Sequence, residues 1–117
     1  MKKSLTKAEI LRGHRAIRAA FRSPNAASGR GLKVLWKPNG RDYNRILIVP
    51  VRKYGSAVAR NRAKRLVREV YREIKEHVCV GYDLVFIVYP GFDQAYSIRF
   101  GQIRYVLQKA ELYRNTI

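Results

Sequence analysis

The sequence predicts a single α/β domain of the α+β kind, spanning residues 1–117, in which helices and strands mix. Three observations predict it. The chain has 117 residues, which suits one domain, and its 47% hydrophobic content is enough for a core. Two apolar runs of strand length, Ile46–Val51 and Leu84–Tyr89, lie far apart in the chain. Between them, from about Ser56 to His77, apolar residues recur at helical spacing.

The elements follow in order. Thr6 and Glu9 have the spacing of a capping box, and Leu5 and Ile10 that of a hydrophobic staple, so a helix starts here. Gly13 interrupts it. A helical face of Ile17, Ala20 and Phe21 follows and stops at Ser23-Pro24. Asn25–Gly31 is small and polar and reads as a loop. Leu32–Lys37 alternates like a strand, and Pro38-Asn39-Gly40-Arg41-Asp42 is a turn. Arg45–Val51 is a second strand, and Pro50 within it suggests an edge or a bulge. The long helix comes next and is broken at Val80-Gly81. Tyr82–Tyr89 is continuously apolar, as a central strand is. A last helix spans roughly Gln94–Tyr113, with Ile98, Ile103, Val106, Leu107 and Ala110 pointing inward.

The long helix is the most informative element. From Arg52 to Arg72 the chain carries eight Lys or Arg residues and one acid, Glu69. Turning about 100° per residue from Arg60 puts Lys64, Arg68, Asn61, Arg72 and Arg65 within an arc of about 140°, with Arg62 just past it. Ala59, Ala63, Leu66, Val67, Val70 and Ile74 fall on the opposite side. Ser56 is a fitting N-cap after Gly55. A solvated helix face normally mixes signs, because like charges at i and i+4 repel. Here Arg60, Lys64 and Arg68 are all cationic at that spacing. The apolar face has no Trp or Phe, which argues against a membrane-surface or calmodulin-binding helix.

Composition extends the signal. The formal net charge is +17, from 25 Lys and Arg against 8 acids, with cations from Arg12 to Arg114. Such charge destabilises a fold through self-repulsion unless a polyanion neutralises it, so nucleic acid is the natural partner. Phe21 and Trp36 stand on elements rich in Lys and Arg. Aromatic faces beside cations suit unpaired bases, and a core role is the competing reading for both. Trp36 alternates with Val34 and Leu32, so it is either buried or part of a polar-lined groove.

Other functions are disfavoured. Cys79 is the only cysteine, which excludes an internal disulfide and fits a reducing cytoplasm. Lys2 and Lys3 have no apolar run behind them, so no signal peptide is expected. No apolar run is long enough to span a bilayer. His14, His77 and Cys79 do not have a metal-ligand spacing. Glu69, Glu73 and Glu76 share a helix and could bind Mg²⁺, but Arg72 and Lys75 among them favour salt bridges. A polypeptide that hydrolyses phosphodiesters usually needs clustered carboxylates or His, and none is evident.

The run Lys53-Tyr54-Gly55-Ser56-Ala57-Val58-Ala59-Arg60-Asn61-Arg62-Ala63-Lys64-Arg65-Leu66-Val67-Arg68-Glu69 resembles the signature of the bacterial ribonuclease P protein subunit. Leu5-Thr6-Lys7 with Ile17–Phe21, Val34-Leu35-Trp36 and Gly81–Val85 resemble its first helical segment, first long strand and last strand. The resemblance implies a two-layer sandwich of order αβββαβα with a left-handed crossover at the basic helix, where general statistics favour the right-handed form. It implies removal of the 5′ leader from precursor tRNA, with catalysis in a large RNA subunit that holds Mg²⁺. The implied partners are that catalytic RNA and precursor tRNA, the protein being monomeric by itself, cytoplasmic and away from membranes. The implied RNA-binding residues are Arg52, Lys53, Arg60, Asn61, Arg62, Lys64, Arg65 and Arg68. A leader cleft of Ile17, Phe21 and Trp36 is also implied. Ile17 stands where the family commonly has Phe, and Pro50-Val51 replaces a more typical apolar–polar pair. The alternatives are a ribosomal or general RNA-binding protein and a self-sufficient nuclease.

Overall fold

The computed structural model describes residues 5–91 and 95–114, and the apolar run Tyr82–Val88 is the central strand that organises it. Helix α1 is His14–Phe21, β1 is Ala26–Gly29, β2 is Leu32–Pro38 and β3 is Arg45–Pro50. Helix α2 is Ala57–Ile74, β4 is Tyr82–Val88 and α3 is Tyr96–Lys109. The order is therefore αβββαβα, with short 3-10 turns at Lys7–Glu9, Arg52–Tyr54 and Lys75–His77.

The sheet order is β1-β2-β4-β3. Strand β4 runs antiparallel to β2, pairing Trp36 with Leu84 and Leu35 with Val85, and parallel to β3, pairing Ile46 with Leu84 and Ile48 with Phe86. Strand β3 lies at an edge, where Pro50 removes no hydrogen bond that a neighbour needs. Part of that edge is covered: Ile10 bridges Ile46, and Leu11 N donates to Ile46 O at 2.9 Å.

One face of the sheet carries Leu32, Val34, Ile46, Ile48, Leu84, Phe86 and Val88, and packs against Ala63, Val67, Val70, Tyr71 and Ile74 of α2 and Ile103, Val106 and Leu107 of α3. These two layers hold most of the core. Helix α1 lies on the other face, where Leu11 and Ala20 pack with Leu35 and Val85.

Several expectations change. The Asn25–Gly31 loop contains β1, paired with β2 from Ala26–Leu35 to Gly29–Leu32. Its small residues hide the strand, but one of them is required. A Cβ on Gly29 would lie 3.0 Å from the Tyr105 ring of α3. The capping box holds, with Thr6 N donating to Glu9 Oε1 at 2.9 Å, yet it starts only the 3-10 turn, and α1 begins after Gly13. On α2 the buried stripe is rotated toward Arg60, so Tyr71 is buried and Leu66 only half-buried. Tyr71 is drawn in by an edge contact with Phe86, 5.9 Å between centroids at 61°, and by Asn44 Nδ2, which donates to its hydroxyl at 3.4 Å. The expected start of the last helix, Gln94, lies outside the described residues. That helix ends at Lys109, because Glu111 takes a left-handed φ of 61° and Tyr113 forms a bridge with Val78.

Helix α3 holds the largest surprise. Ile98, expected inward, is 43% exposed, and Arg99 beside it is completely buried. Its guanidinium donates to Gly31 O and Gln102 Oε1 at 2.9 and 2.8 Å, and to the Tyr54 hydroxyl and Tyr89 O, both at 2.9 Å. All four acceptors are uncharged. Hydrogen bonds to a buried cation offset the loss of its water, and a planar fork of donors suits several acceptors at once.

Candidate nucleic-acid interface

The cationic surface begins in the turn after β3. Arg52 and Lys53 are exposed there, while Tyr54 points inward and is held by Arg99. Gly55 follows at φ 122°, a conformation that side chains resist, and turns the chain into α2. Ser56 caps that helix, its hydroxyl accepting from Ala59 N at 3.2 Å. Because Ala63, Val67, Val70 and Ile74 are committed to the core, Asn61, Arg62, Arg65 and Arg68 are left facing solvent.

Two of the expected contact residues sit differently. Arg60 is half-buried, and its guanidinium donates to Val51 O at 2.7 Å and Pro50 O at 3.2 Å. It therefore ties the end of β3 to the start of α2 and positions the Arg52–Gly55 segment. Lys64 is half-buried at the margin, where it and Arg68 line a shallow cavity with Ile10, Leu47 and Ile48 beside the β3 edge.

The second candidate surface lies on the α1 face. Ile17 and Ala16 pack with Leu47, Val49 and Ile87 at the rim of the small core beneath α1. All five are half-buried, and Phe21, one turn beyond Ile17, is 42% exposed. These partly exposed apolar side chains where α1 meets the sheet, with Phe21 exposed at the end of the helix, are the candidate groove. Arginines border it: Arg15, Arg18 and Arg22 line a concavity along α1 together with His14, and Arg15 with Lys37, Arg41 and Arg45 lines another over the end of β2. The acid in the second concavity, Asp83, accepts from Arg45 Nη2 at 2.7 Å and Nε at 2.8 Å, and from Asn39 Nδ2 at 3.1 Å. That hydrogen bonding pushes the Arg45 guanidinium up from its ordinary value, against the opposing effect of burial.

Trp36 is not in this groove, which corrects the expected cleft of Ile17, Phe21 and Trp36. It shares its face with Val34 and with its partner Leu84, both in the core under α2 and α3, and packs half-buried against that core. Its outer side opens on a concavity with Ala27, Ser28, Lys33 and Lys109 at the β1 edge. The sheet lies between Trp36 and the α1 residues. The groove residues missed in the sequence were Leu47, Val49 and Ile87. Their signal was visible: Arg45–Pro50 is apolar on both faces, though α2 covers only one.

Among the described residues no three His, Cys, Asp or Glu side chains form a metal site, and no helix is long and apolar enough to cross a membrane. Lys75 pairs with Glu9 at 3.2 Å, across the chain from the glutamates beside it in sequence.

Comparison with known proteins adds a family to this geometry. The sequence model described as Ribonuclease P matches residues 5–111. A ribonuclease P protein component of Petrotoga mobilis is 41% identical over 81 residues, 69% of either chain. One of Thermotoga petrophila is 40% identical over 87 residues, 74% of either chain. Among solved structures, the RNase P protein from Thermotoga maritima superposes with a TM-score of 0.78 at 30% identity, covering 86% of this chain and 96% of that one. The Staphylococcus aureus RNase P protein has a TM-score of 0.81 at 24% identity over 92% and 100% of the chains, a likeness of fold.

Proposed function

The chain belongs to the ribonuclease P protein family, a component of a tRNA-processing ribonuclease, and on that premise we propose how it contributes. It binds the catalytic RNA through Arg52, Lys53, Asn61, Arg62, Arg65 and Arg68, with Lys64 at the margin and Arg60 positioning the loop. It takes the single-stranded 5′ leader of precursor tRNA along the groove of Ile17, Phe21, Leu47, Val49 and Ile87. In this way it supports endonucleolytic removal of the leader, with bond cleavage carried out by the RNA.

The observation that carries this reading is the two-sidedness of α2. One stripe is buried in the core, and the other presents Asn61, Arg62, Arg65 and Arg68 to solvent, with the two acids of the helix, Glu69 and Glu73, following them. Guanidinium groups give phosphate contacts that fix position without reading sequence. The groove complements it: an unpaired leader has bases free to lie on apolar and aromatic surface, and the bordering arginines follow its backbone. In this reading Mg²⁺ acts on the RNA side of the holoenzyme, and no protein side chain is assigned to it.

The test is cleavage of a precursor tRNA at low Mg²⁺ by the protein alone, the transcribed catalytic RNA alone, and both together. Cleavage only by the mixture, at the mature 5′ end, is the expected result. Cleavage by the protein alone would make it a nuclease. RNA binding without any gain in cleavage would make it a general RNA-binding protein.

A further inference from the structure

Gly101 stands in the middle of α3, where nothing in the fold asks for a glycine. It is exposed, its backbone is helical, and an added Cβ would meet no heavy atom within 4 Å. A mid-helix glycine destabilises the fold relative to alanine. Nearby Gly29 is different, since the Tyr105 ring occupies the space its side chain would need. The advantage of a bare backbone at Gly101 therefore lies outside the folded chain, in what comes close to the helix.

The surroundings say what that is. Buried Arg99, Ile103, Val106 and Leu107 set the inward direction of α3, and Gly101 falls at the centre of the opposite face. Ser97, Ile98, Arg104 and Tyr105 flank it within about 60° of helix rotation. Tyr105 is 54% exposed with its ring held over Gly29, and Lys109 Nζ sits 5.9 Å from the ring centroid. Arg104 Cζ lies 5.6 Å from the Phe100 centroid. From Tyr96 to Lys109 there is no Asp or Glu. Cations steadied over aromatic rings around a stretch of bare backbone complement a sugar–phosphate chain. A second copy of this chain, itself at +17, would be repelled.

Helices α2 and α3 pack side by side on one face of the sheet, so their outward faces look away from the α1 groove. We propose that the outward face of α3, centred on Gly101 and flanked by Arg104 and Tyr105, is a second docking surface for the catalytic RNA. This rests on the reading of α2 given above and extends it across the helical layer.

The test measures melting temperature and affinity for the transcribed catalytic RNA in Gly101→Ala, Gly101→Leu, Arg104→Ala and Arg65→Ala. Gly101→Ala is expected to raise the melting temperature by roughly 3–6 °C and yet weaken assembly. Gly101→Leu should weaken it by about tenfold, because it holds the RNA off the helix, and Arg104→Ala by about threefold, through a lost phosphate contact. Gly101 variants that assemble like the wild type, while Arg65→Ala assembles poorly, would overturn the α3 surface and leave α2 standing. Loss of affinity in step with loss of melting temperature would assign a structural role and also overturn it. So would weaker binding of precursor tRNA by a normally assembled holoenzyme. If Arg65→Ala and the Gly101 variants all assemble normally, both readings fall together.

Discussion

Arg99 of α3 donates to the Tyr54 hydroxyl at 2.9 Å, joining residues 45 apart in sequence. The contact fixes the inward end of the turn whose outer side carries Arg52 and Lys53. The same guanidinium holds Gly31 O and Tyr89 O, so one cation fastens three loops at one end of the sheet. Arg99→Met should cost about 2–4 kcal/mol, because it removes four hydrogen bonds from a buried site. Arg99→Lys should recover only part of that, since an ammonium cannot span the same fork. Urea unfolding of the two variants, with exposed Arg104→Met as control, measures it. Equal stabilities for Arg99→Met and the wild type would remove Arg99 from this role.

Exposed and structural arginines on α2 should separate by experiment. Arg62→Ala and Arg65→Ala should leave the melting temperature unchanged and weaken assembly with the catalytic RNA. Each should also lower the slope of log affinity against log salt by roughly 0.7–0.9, the effect of one lost phosphate contact. Arg60→Ala should behave oppositely in stability, because it strips the hydrogen bonds to Val51 O and Pro50 O. A melting-temperature loss of similar size in all three would mean that the exposed row is part of the core packing.

The rotation of α2 makes a packing prediction. Val67 is completely buried and Leu66 is half-buried. Val67→Ala should therefore cost more than Leu66→Ala, about 2 kcal/mol against less than about 1 kcal/mol, although leucine loses the larger side chain. Denaturant titration of both variants decides it, and the reverse order would place Leu66 in the core.

The sequence made α2 and β2 legible through the period of their apolar residues, and β3 and β4 through continuous apolar runs of strand length. It hid β1, whose Ala-Ala-Ser-Gly has no β-branched side chain and is a strand only because β2 pairs with it and Tyr105 packs over it. It misread Ile98 and Arg99, because hydrophobicity ranks them opposite to their burial. Only the tertiary positions of Gly31, Tyr54 and Tyr89 give a buried guanidinium its acceptors. The cationic row was legible only in part: Arg62, Arg65 and Arg68 lie off the apolar stripe and face outward, while the rotation of that stripe leaves Arg60 and Lys64 half-buried. The groove was not, because Trp36 and Leu35 are neighbours in sequence and face opposite sides of the sheet.

Burial pushes the Tyr71 hydroxyl up to about 12, only partly countered by its hydrogen bond from Asn44. A raised value means the folded state favours the neutral phenol. The stabilisation is complete below pH 10, the ordinary tyrosine value, and is lost as pH rises from there through 12. The wild type should therefore lose up to roughly 3 kcal/mol in that window. Tyr71→Phe should lose less across the same interval, because it has no proton to release. Parallel stability curves for the two proteins between pH 10 and 12 would show that Tyr71 is not responsible.

The groove on the α1 face and the Trp36 concavity on the other side of the sheet make opposite predictions for substrate binding. Phe21 is exposed at the rim, so Phe21→Ala should leave stability nearly unchanged. If leader bases lie on that ring, the variant holoenzyme should bind precursor tRNA about 1–3 kcal/mol more weakly and mature tRNA as before. Trp36 packs half-buried against the main core, so Trp36→Ala should lower stability and change the two affinities by the same factor. Ile17→Phe tests the shape of the same groove. Ile17 is only half-buried beside Leu47, Val49 and Ile87, so a larger ring can extend toward the opening. It should then hold or raise the preference for precursor over mature tRNA. A closed site would instead cost roughly 1–3 kcal/mol of stability through overpacking. Measuring both affinities and the urea midpoint for the three variants distinguishes these outcomes. A precursor-specific loss in Trp36→Ala, with none in Phe21→Ala, would move the leader to the other face of the sheet.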